Sequence, residues 1–418
     1  MKIQSLHRLY KKTCLIDTDT RKIRKGSVFF ALKGDNFNGN KFVKQALDSG
    51  SRFCVIDDEE YYIDNRTILV EDSLKTLQLL ANYHRKELAI PIIALTGSNG
   101  KTTTKELINA VLKTQYNTTA TLGNLNNHIG VPLTILSMNS QTEIGIVEMG
   151  ANHQKEIEFL SEITEPDYGY ITNFGKAHLE GFGGIEGVIK GKSELYQHLL
   201  KNNKTVFVNP NDPKQMEITK GAKRILLNND DITLSSSHPL LEINYQNATI
   251  KTNLVGTYNF TNILAAISIG EFFKISKDNI KKAIENYTST NNRSQIVETK
   301  NNKILLDAYN ANPTSVGLAL QSFNQISHSN KIVILGDMFE LGKEAQSEHQ
   351  NIANLASDLA FSKTLFVGEN FYNSNASNRF INFEELKIYL QKNPILDSYI
   401  LIKGSRGMAL ERLLEIIN

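Results

Sequence analysis

Cysteine is nearly absent, with Cys14 and Cys54 the only two in 418 residues. That is too few for a disulfide framework or a cysteine metal site. It suits a reducing compartment, with both thiols read as small core residues. Charge of one sign is lacking too: 46 basic and 44 acidic side chains give a formal charge of +2. No broad positive field is available for a nucleic-acid backbone, although a local pocket for phosphates is not excluded. No apolar run reaches the roughly 18 residues that cross a bilayer, and the polar stretch from Met1 to Tyr10 has no apolar segment behind a basic start. The expectation is a cytoplasmic protein with no membrane insertion and no nucleic-acid partner. Low-complexity segments and repeats at solenoid periods are missing as well.

What is present is the balance of a globular protein, 40% apolar and 22% charged, in a chain too long for one ordinary core. Short β-branched runs alternate with helix-period stretches, the pattern of α/β domains. Breaks near Ala89-Ile90-Pro91 and Thr288-Ser289-Thr290-Asn291-Asn292 divide the chain into blocks of residues 1–85, 86–292 and 293–418. In the middle block, Ile92-Ile93-Ala94-Leu95 reads as a buried strand, followed by a glycine-containing turn and a helix with Leu107, Ile108, Val111 and Leu112 on one face. Two more strands deliver Glu148 and Asn173 at their carboxyl ends, where ligands bind in such sheets. The last block repeats the logic, its strands ending at Asp307, at Gly336-Asp337 and at Lys403-Gly404-Ser405-Arg406. It reads as a second nucleotide-type, Rossmann-like α/β domain.

Between the first strand and helix of the middle block lies Thr96-Gly97-Ser98-Asn99-Gly100-Lys101-Thr102-Thr103-Thr104. Free backbone N–H groups and the helix dipole favour anions at such a junction. Lys101 is placed to hold the β and γ phosphates of ATP, and Thr102 to ligate Mg²⁺. The generic phosphate-loop pattern requires glycine where this chain has Leu95, so the match rests on Gly-Lys-Thr and its strand-to-helix setting. Phosphate binding alone does not separate a kinase, a switch GTPase, a motor or a ligase.

Further motifs separate them. Gly123-Asn124-Leu125-Asn126-Asn127-His128-Ile129-Gly130-Val131-Pro132, Glu148-Met149-Gly150-Ala151-Asn152-His153 and Asn173-Phe174-Gly175-Lys176-Ala177-His178 resemble the Mur ligase family. The resemblance continues through Lys192-Ser193-Glu194, Asp307-Ala308-Tyr309-Asn310-Ala311-Asn312-Pro313, Gly336-Asp337-Met338-Phe339-Glu340-Leu341-Gly342 and Lys403-Gly404-Ser405-Arg406-Gly407. It covers all three blocks in order, and points to the branch that joins D-alanyl-D-alanine to UDP-N-acetylmuramoyl-tripeptide. It implies three α/β domains: an N-terminal uridine-nucleotide domain, a central P-loop ATPase domain with a mostly parallel sheet, and a C-terminal ligase domain that binds the dipeptide. A monomer is expected. Rival readings are the sibling that adds the third amino acid, a folyl- or cyanophycin-type ligase, and, from other classes, a nucleotide switch or kinase and a catalytically dead scaffold. The last would be expected to have lost Lys101, Glu148 or Lys192, and all three are present.

The resemblance also implies roles. Gly97, Ser98, Asn99, Gly100, Lys101, Thr102 and Thr103 cradle ATP, with Asn127 and His128 at the phosphate or acyl phosphate and turn chemistry as their other reading. Glu148 shares one Mg²⁺ with Thr102, and a second Mg²⁺ is held by His178 and by Lys192 as a carbamate. Serine stands at 193 where the family usually has glycine, and Lys190 is the alternative to Lys192. Asn259 or Asn262 reads adenine, with helix capping as their other reading. Arg293, Asp307, Tyr309 and Asn310 face ATP; Asn310, Asn312, Lys403 and Arg406 face the dipeptide. Thr20, Arg21 and Lys33 serve the UDP end. Leu306 replaces the first of a commonly paired aspartate, so only Asp307 carries a role.

Overall fold

Side chains along a strand alternate between the two faces of its sheet, and this period of two sets the layering of the whole chain. In the middle block Ile92 and Ala94 face one apolar cluster while Ile93 and Leu95 face another. In the last block Leu305 and Leu401 belong to the first of these clusters, and Ile304, Ile400 and Ile402 to a separate one. Val28, Phe30 and Val55 of the first block join the same first cluster, leaving Phe29, Cys54 and Ile56 on the outer face. One apolar layer therefore runs through all three blocks. The computed structural model describes residues 2–227 and 230–417. Met1, at the head of the polar start read above, lies outside the described residues.

Four parallel strands, Ile16–Asp17, Val28–Phe30, Phe53–Ile56 and Thr67–Leu69, pair in chain order in the first block. The helix Ser73–Leu88 leads from there to the middle sheet, its N-cap Asp72 accepting from the Lys75 amide. The middle sheet is six-stranded and parallel, with Ile92–Thr96 between Tyr168–Ile171 on one side and Ile144–Glu148 on the other. The chain reverses its direction of strand addition at Ile92–Thr96, so the carboxyl end of that strand opens onto the crevice where such sheets bind ligands. A three-stranded antiparallel sheet, Ile232–Ser236, Glu242–Tyr245 and Ala248–Lys251, is appended to this block and was not anticipated from the sequence. The last block carries a six-stranded sheet, parallel except for the edge strand Gln295–Glu298, with Asn302–Asp307, Ser398–Lys403 and Lys331–Gly336 adjacent. Each strand read from the sequence is present, within a residue or two of the expected ends.

The first block is fastened to the middle one by polar contacts from the Ser73–Leu88 helix. Arg85 donates to Asp167 at 2.7 Å and to the Thr164 carbonyl at 3.0 Å. Beside it the buried His84 contacts the Met138 carbonyl through Nε2 at 2.9 Å and His7 Nε2 through Nδ1 at 3.0 Å. With Nε2–H donating to a carbonyl, Nδ1 is left to accept from His7, so the pair is satisfied when both rings are neutral. In the last block the fully buried His349 is likewise held neutral: Nδ1 donates to the Ala345 carbonyl at 2.6 Å and Nε2 accepts the Met338 amide at 2.9 Å.

Burial holds the imidazoles of His7, His84 and His349 below their ordinary range. The unfolded chain takes up protons at these rings once pH falls below about 6.5, while the folded chain resists. Their contribution is complete above that pH and is lost below it, at about 1.4 kcal/mol per pH unit for each ring until its folded pKa is reached. Urea midpoints followed from neutral to mildly acid pH should therefore fall, and the fall should be shallower in His84→Gln and His349→Gln. An equally steep acid limb in both variants would refute this account.

Candidate active site

The phosphate loop is the turn between the strand Ile92–Thr96 and the helix Lys101–Leu112. Gly97 has φ +142°, and a Cβ there would lie 2.0 Å from Thr172 Oγ1, so the loop packs this closely on the neighbouring strand end only with glycine. Ser98 donates to the Gly175 carbonyl at 2.8 Å, and the Asn99 carbonyl accepts from Thr172 at 2.6 Å and Asn173 at 3.0 Å. The first amides of the Lys101–Leu112 helix have no partner within it and face outward. Lys101 folds back so that its amine donates to the Gly97 carbonyl at 2.8 Å and the Ser98 carbonyl at 3.3 Å. Burial lowers its pKa, the Glu148 charge opposes that, and Arg293 adds to it.

Glu148 ends its strand 1% exposed. Its Oε1 accepts from Thr102 at 3.2 Å and from Asn126 at 2.8 Å, while Oε2 is buried with no partner. An ionised oxygen in that state calls for a cation. Together with the Thr102 hydroxyl it offers the hard oxygen donors that Mg²⁺ takes, so these residues fit that ion. Among the described residues no group of three or more His, Cys, Asp or Glu gathers to hold a metal, so any such site draws on threonine, lysine or substrate oxygens as well.

These groups line one cleft of about 550 Å³ between the middle and last blocks. Of the residues expected from the sequence, Ser98, Asn99, Gly100, Lys101, Thr102, Thr103, Asn127, His128, Glu148 and His178 line it from the middle block. Asn259, Asn262, Arg293, Asp307, Tyr309, Asn310, Asn312 and Lys403 complete it. Arg293 stacks its guanidinium 3.6 Å from the Tyr309 ring centroid and keeps a buried Nε without a partner. Lys403 and Asp307 are paired with each other at 2.5 Å, and Lys403 also donates to the Asn310 carbonyl at 3.3 Å. Asn312 caps the helix Pro313–Asn324 and donates across the block boundary to Asn99 Oδ1 at 2.7 Å, tying the last block to the phosphate loop.

Several expected residues bond to the protein itself or lie off the cleft. Asn127 turns its side-chain oxygen onto the amides of Ile129 and Gly130, at 3.1 and 2.9 Å, so it holds the loop that carries it. Asn259 and Asn262 bond to each other at 2.8 Å, and Asn262 accepts from Thr104 at 3.0 Å; neither caps the helix Asn259–Phe272. Lys192 lies behind the cleft wall, fully buried, its amine donating to the Ala151 carbonyl at 2.9 Å and 4.9 Å from the Phe182 ring centroid. Burial first, and then the Lys101 charge, push its pKa well down, favouring the neutral amine. Lys190 is exposed. Thr20, Arg21 and Lys33 lie in the first block outside the cleft walls, Arg21 bound to Asp19 at 2.7 Å and Lys33 to Asp57 at 3.0 Å. Arg406 sits outside as well, its guanidinium 5.4 Å from the Tyr309 ring. Asn126, which fixes Glu148, and Glu340, which contacts His178, lie within the family-like motifs, but nothing in their spacing points to these contacts.

Comparison with known proteins adds to the geometry. Three family models match in order: the Mur ligase family catalytic domain over residues 14–85, the Mur ligase middle domain over 95–270, and the Mur ligase glutamate ligase domain over 292–406. The UDP-N-acetylmuramoyl-tripeptide--D-alanyl-D-alanine ligase of Bacillus subtilis (strain 168) is 33% identical, over 97% of this chain and 94% of its own. The chain belongs to the Mur ligase family. A Mur ligase of the same description from Escherichia coli (strain K12) is 31% identical over 96% of this chain and 93% of its own. Among solved structures, MurF from Acinetobacter baumannii superimposes with a TM-score of 0.85 at 29% identity, covering 96% of this chain and 92% of that one. The MurF ligase from Thermotoga maritima in complex with ADP gives 0.83 at 25% identity, covering 96% of each. The fold is accordingly the three-domain α/β Mur ligase fold.

In this Mur ligase, Glu148→Gln keeps the shape of the side chain and removes its charge. The expected result is Mg²⁺-dependent ADP binding weakened about tenfold or more in calorimetry, with no fall in the thermal midpoint of the ligand-free protein. Unaltered Mg²⁺ dependence would show that the unpaired oxygen has another purpose.

Proposed function

We propose that the chain is an ATP-dependent amide-bond ligase that adds D-alanyl-D-alanine to UDP-N-acetylmuramoyl-tripeptide through an acyl phosphate, acting as a monomer in the cytoplasm in peptidoglycan synthesis. The observation that carries the reading is the set of buried, unpaired polar atoms in one cleft: Glu148 Oε2, Arg293 Nε and Asn99 Nδ2. A cation beside the first and an anion beside the second is the demand a metal–nucleotide meets. The relatives' names supply the acceptor and the dipeptide.

Joining a carboxylate to an amine is uphill in water. The tripeptide carboxylate attacks the γ-phosphorus of ATP, the bond from that phosphorus to the bridging oxygen breaks, and ADP leaves. The dipeptide amine then attacks the carbonyl carbon, the carbon–oxygen bond to phosphate breaks, and inorganic phosphate leaves as the amine loses a proton. The first step brings two anions together, so positioning and charge neutralisation are its main requirements. Lys101, Arg293 and the amides opening the Lys101–Leu112 helix neutralise the phosphates. Thr102 and Glu148 would hold one Mg²⁺, and His178 with Lys192, as a carbamate formed with CO₂, a second; bound there, the ions screen the oxygens that must meet. The buried amine of Lys192, its pKa pushed well down by burial, supports this choice over the exposed Lys190. Asn127 holds the loop of His128 against the phosphates. Asn259, Asn262 and Tyr309 form the nucleoside side of the cleft and Asp307, Asn310, Asn312 and Lys403 the dipeptide side, with Arg406 reaching the dipeptide from outside the cleft walls, beside Tyr309. Thr20, Arg21 and Lys33 take the UDP end, and closure of the last domain excludes water from the acyl phosphate. The domains meet near residues 85 and 292.

Phosphate release from ATP, measured with the tripeptide nucleotide and with or without D-alanyl-D-alanine, should require both substrates and yield the pentapeptide by mass. Lys101→Ala should lower turnover about a hundredfold or more. Turnover with a single amino acid in place of the dipeptide would move the chain to a sibling ligase, and no ATP turnover at all would overturn the enzyme reading.

A further inference from the structure

The segment from Gly336 to Gly342 has no part in the chemistry above, yet it is braced from three sides. The Asp337 carboxylate accepts the amides of Asn370 and Phe371 at 2.9 and 3.0 Å. The Met338 amide donates to His349 at 2.9 Å, and the Phe339 amide donates to Ser405 Oγ at 3.0 Å. The next residue, Glu340, is thereby carried across the boundary onto the middle block. Its carbonyl accepts the Glu180 amide at 3.2 Å, and its carboxylate meets Nδ1 of His178. Glu340 and His178 have φ of +61° and +54°. Non-glycine residues enter that region at a cost of order 1 kcal/mol and stay there only where their surroundings over-determine them.

A histidine that offers one ring nitrogen to a metal ion or phosphoryl group is set in tautomer and orientation by the partner of its other nitrogen. His178 lines the cleft, and the partner of its Nδ1 comes from a different domain. We infer that Glu340 is a positioning residue that accepts the Nδ1–H of His178, so that the Nε2 lone pair is presented to the cleft only when the last domain is docked. The seam has two further polar contacts two residues upstream: the Lys176 amide donates to Thr314 Oγ1 at 3.0 Å, and the Lys176 amine pairs with Glu348 at 2.5 Å. Docking and the aim of His178 are thus set by one interface. The inference rests on the reading of the cleft as a metal–nucleotide site.

The test uses the full chain labelled with ¹⁵N at histidine, the His178 signals identified by their loss in His178→Gln. At about pH 8, above the ordinary imidazole range, the wild type should show Nδ1 protonated and Nε2 bare. Glu340→Gln, whose amide oxygen still accepts, should keep that tautomer, and Glu340→Ala should lose it. In ligase assays of the same proteins, kcat should fall about tenfold in Glu340→Ala and largely recover in Glu340→Gln, with KM for the dipeptide within about twofold of wild type. A wild type with bare Nδ1 or with both nitrogens protonated, or a Glu340→Ala protein with unchanged tautomer and kcat, would overturn the inference. If the wild type turns over no substrate, the functional reading falls by itself, because the nitrogen signals decide the inference without substrates.

Discussion

Burying an ionised carboxylate costs several kcal/mol unless charge or hydrogen bonds replace the lost water, and Glu148 is buried with one oxygen bonded and one bare. The rest of the cleft is arranged around that imbalance. Thr102, at the start of the phosphate-loop helix, and Asn126, from the loop opposite, take one oxygen and leave the other without a partner. Lys101 is close enough to feel the charge but gives its hydrogens to its own loop, so it does not satisfy the carboxylate. The parallel sheet makes this arrangement possible, because it brings the ends of three strands to one edge of a single crevice.

The last domain supplies what the middle one lacks. Arg293 brings a flat cation braced on Tyr309, and Asn312 links the cap of its helix directly to Asn99 of the phosphate loop. A rigid-body shift of the last domain would break the Asn99–Asn312 and His178–Glu340 contacts together. The nucleotide loop and the histidine at the cleft therefore report the same motion.

Local chemistry was legible in the sequence. The phosphate loop, the strand-end Glu148 and the buried strands on either side follow from short patterns whose meaning depends on neighbours within a few residues. The expected cleft residues from Ser98 to Lys403 converge because motifs at strand ends converge in parallel sheets. What was not legible depends on pairing between distant residues. Asn262 with Thr104, Lys403 with Asp307, and Asn126 with Glu148 are partnerships that no spacing announces. Glu340 lies in the Gly336–Gly342 motif, but its partner is 162 residues away. The antiparallel sheet from Ile232 to Lys251 is short and partly exposed, so its alternation is weak.

The apolar layer that runs through all three sheets has a consequence for how the molecule comes apart. Ile92, Val28 and Leu401 belong to one connected apolar cluster, so melting of one domain uncovers apolar side chains on a neighbour. Loss of the last domain by proteolysis would leave part of that layer bare on the remaining two, a surface prone to self-association. A two-domain fragment is therefore more prone to self-association than the whole chain.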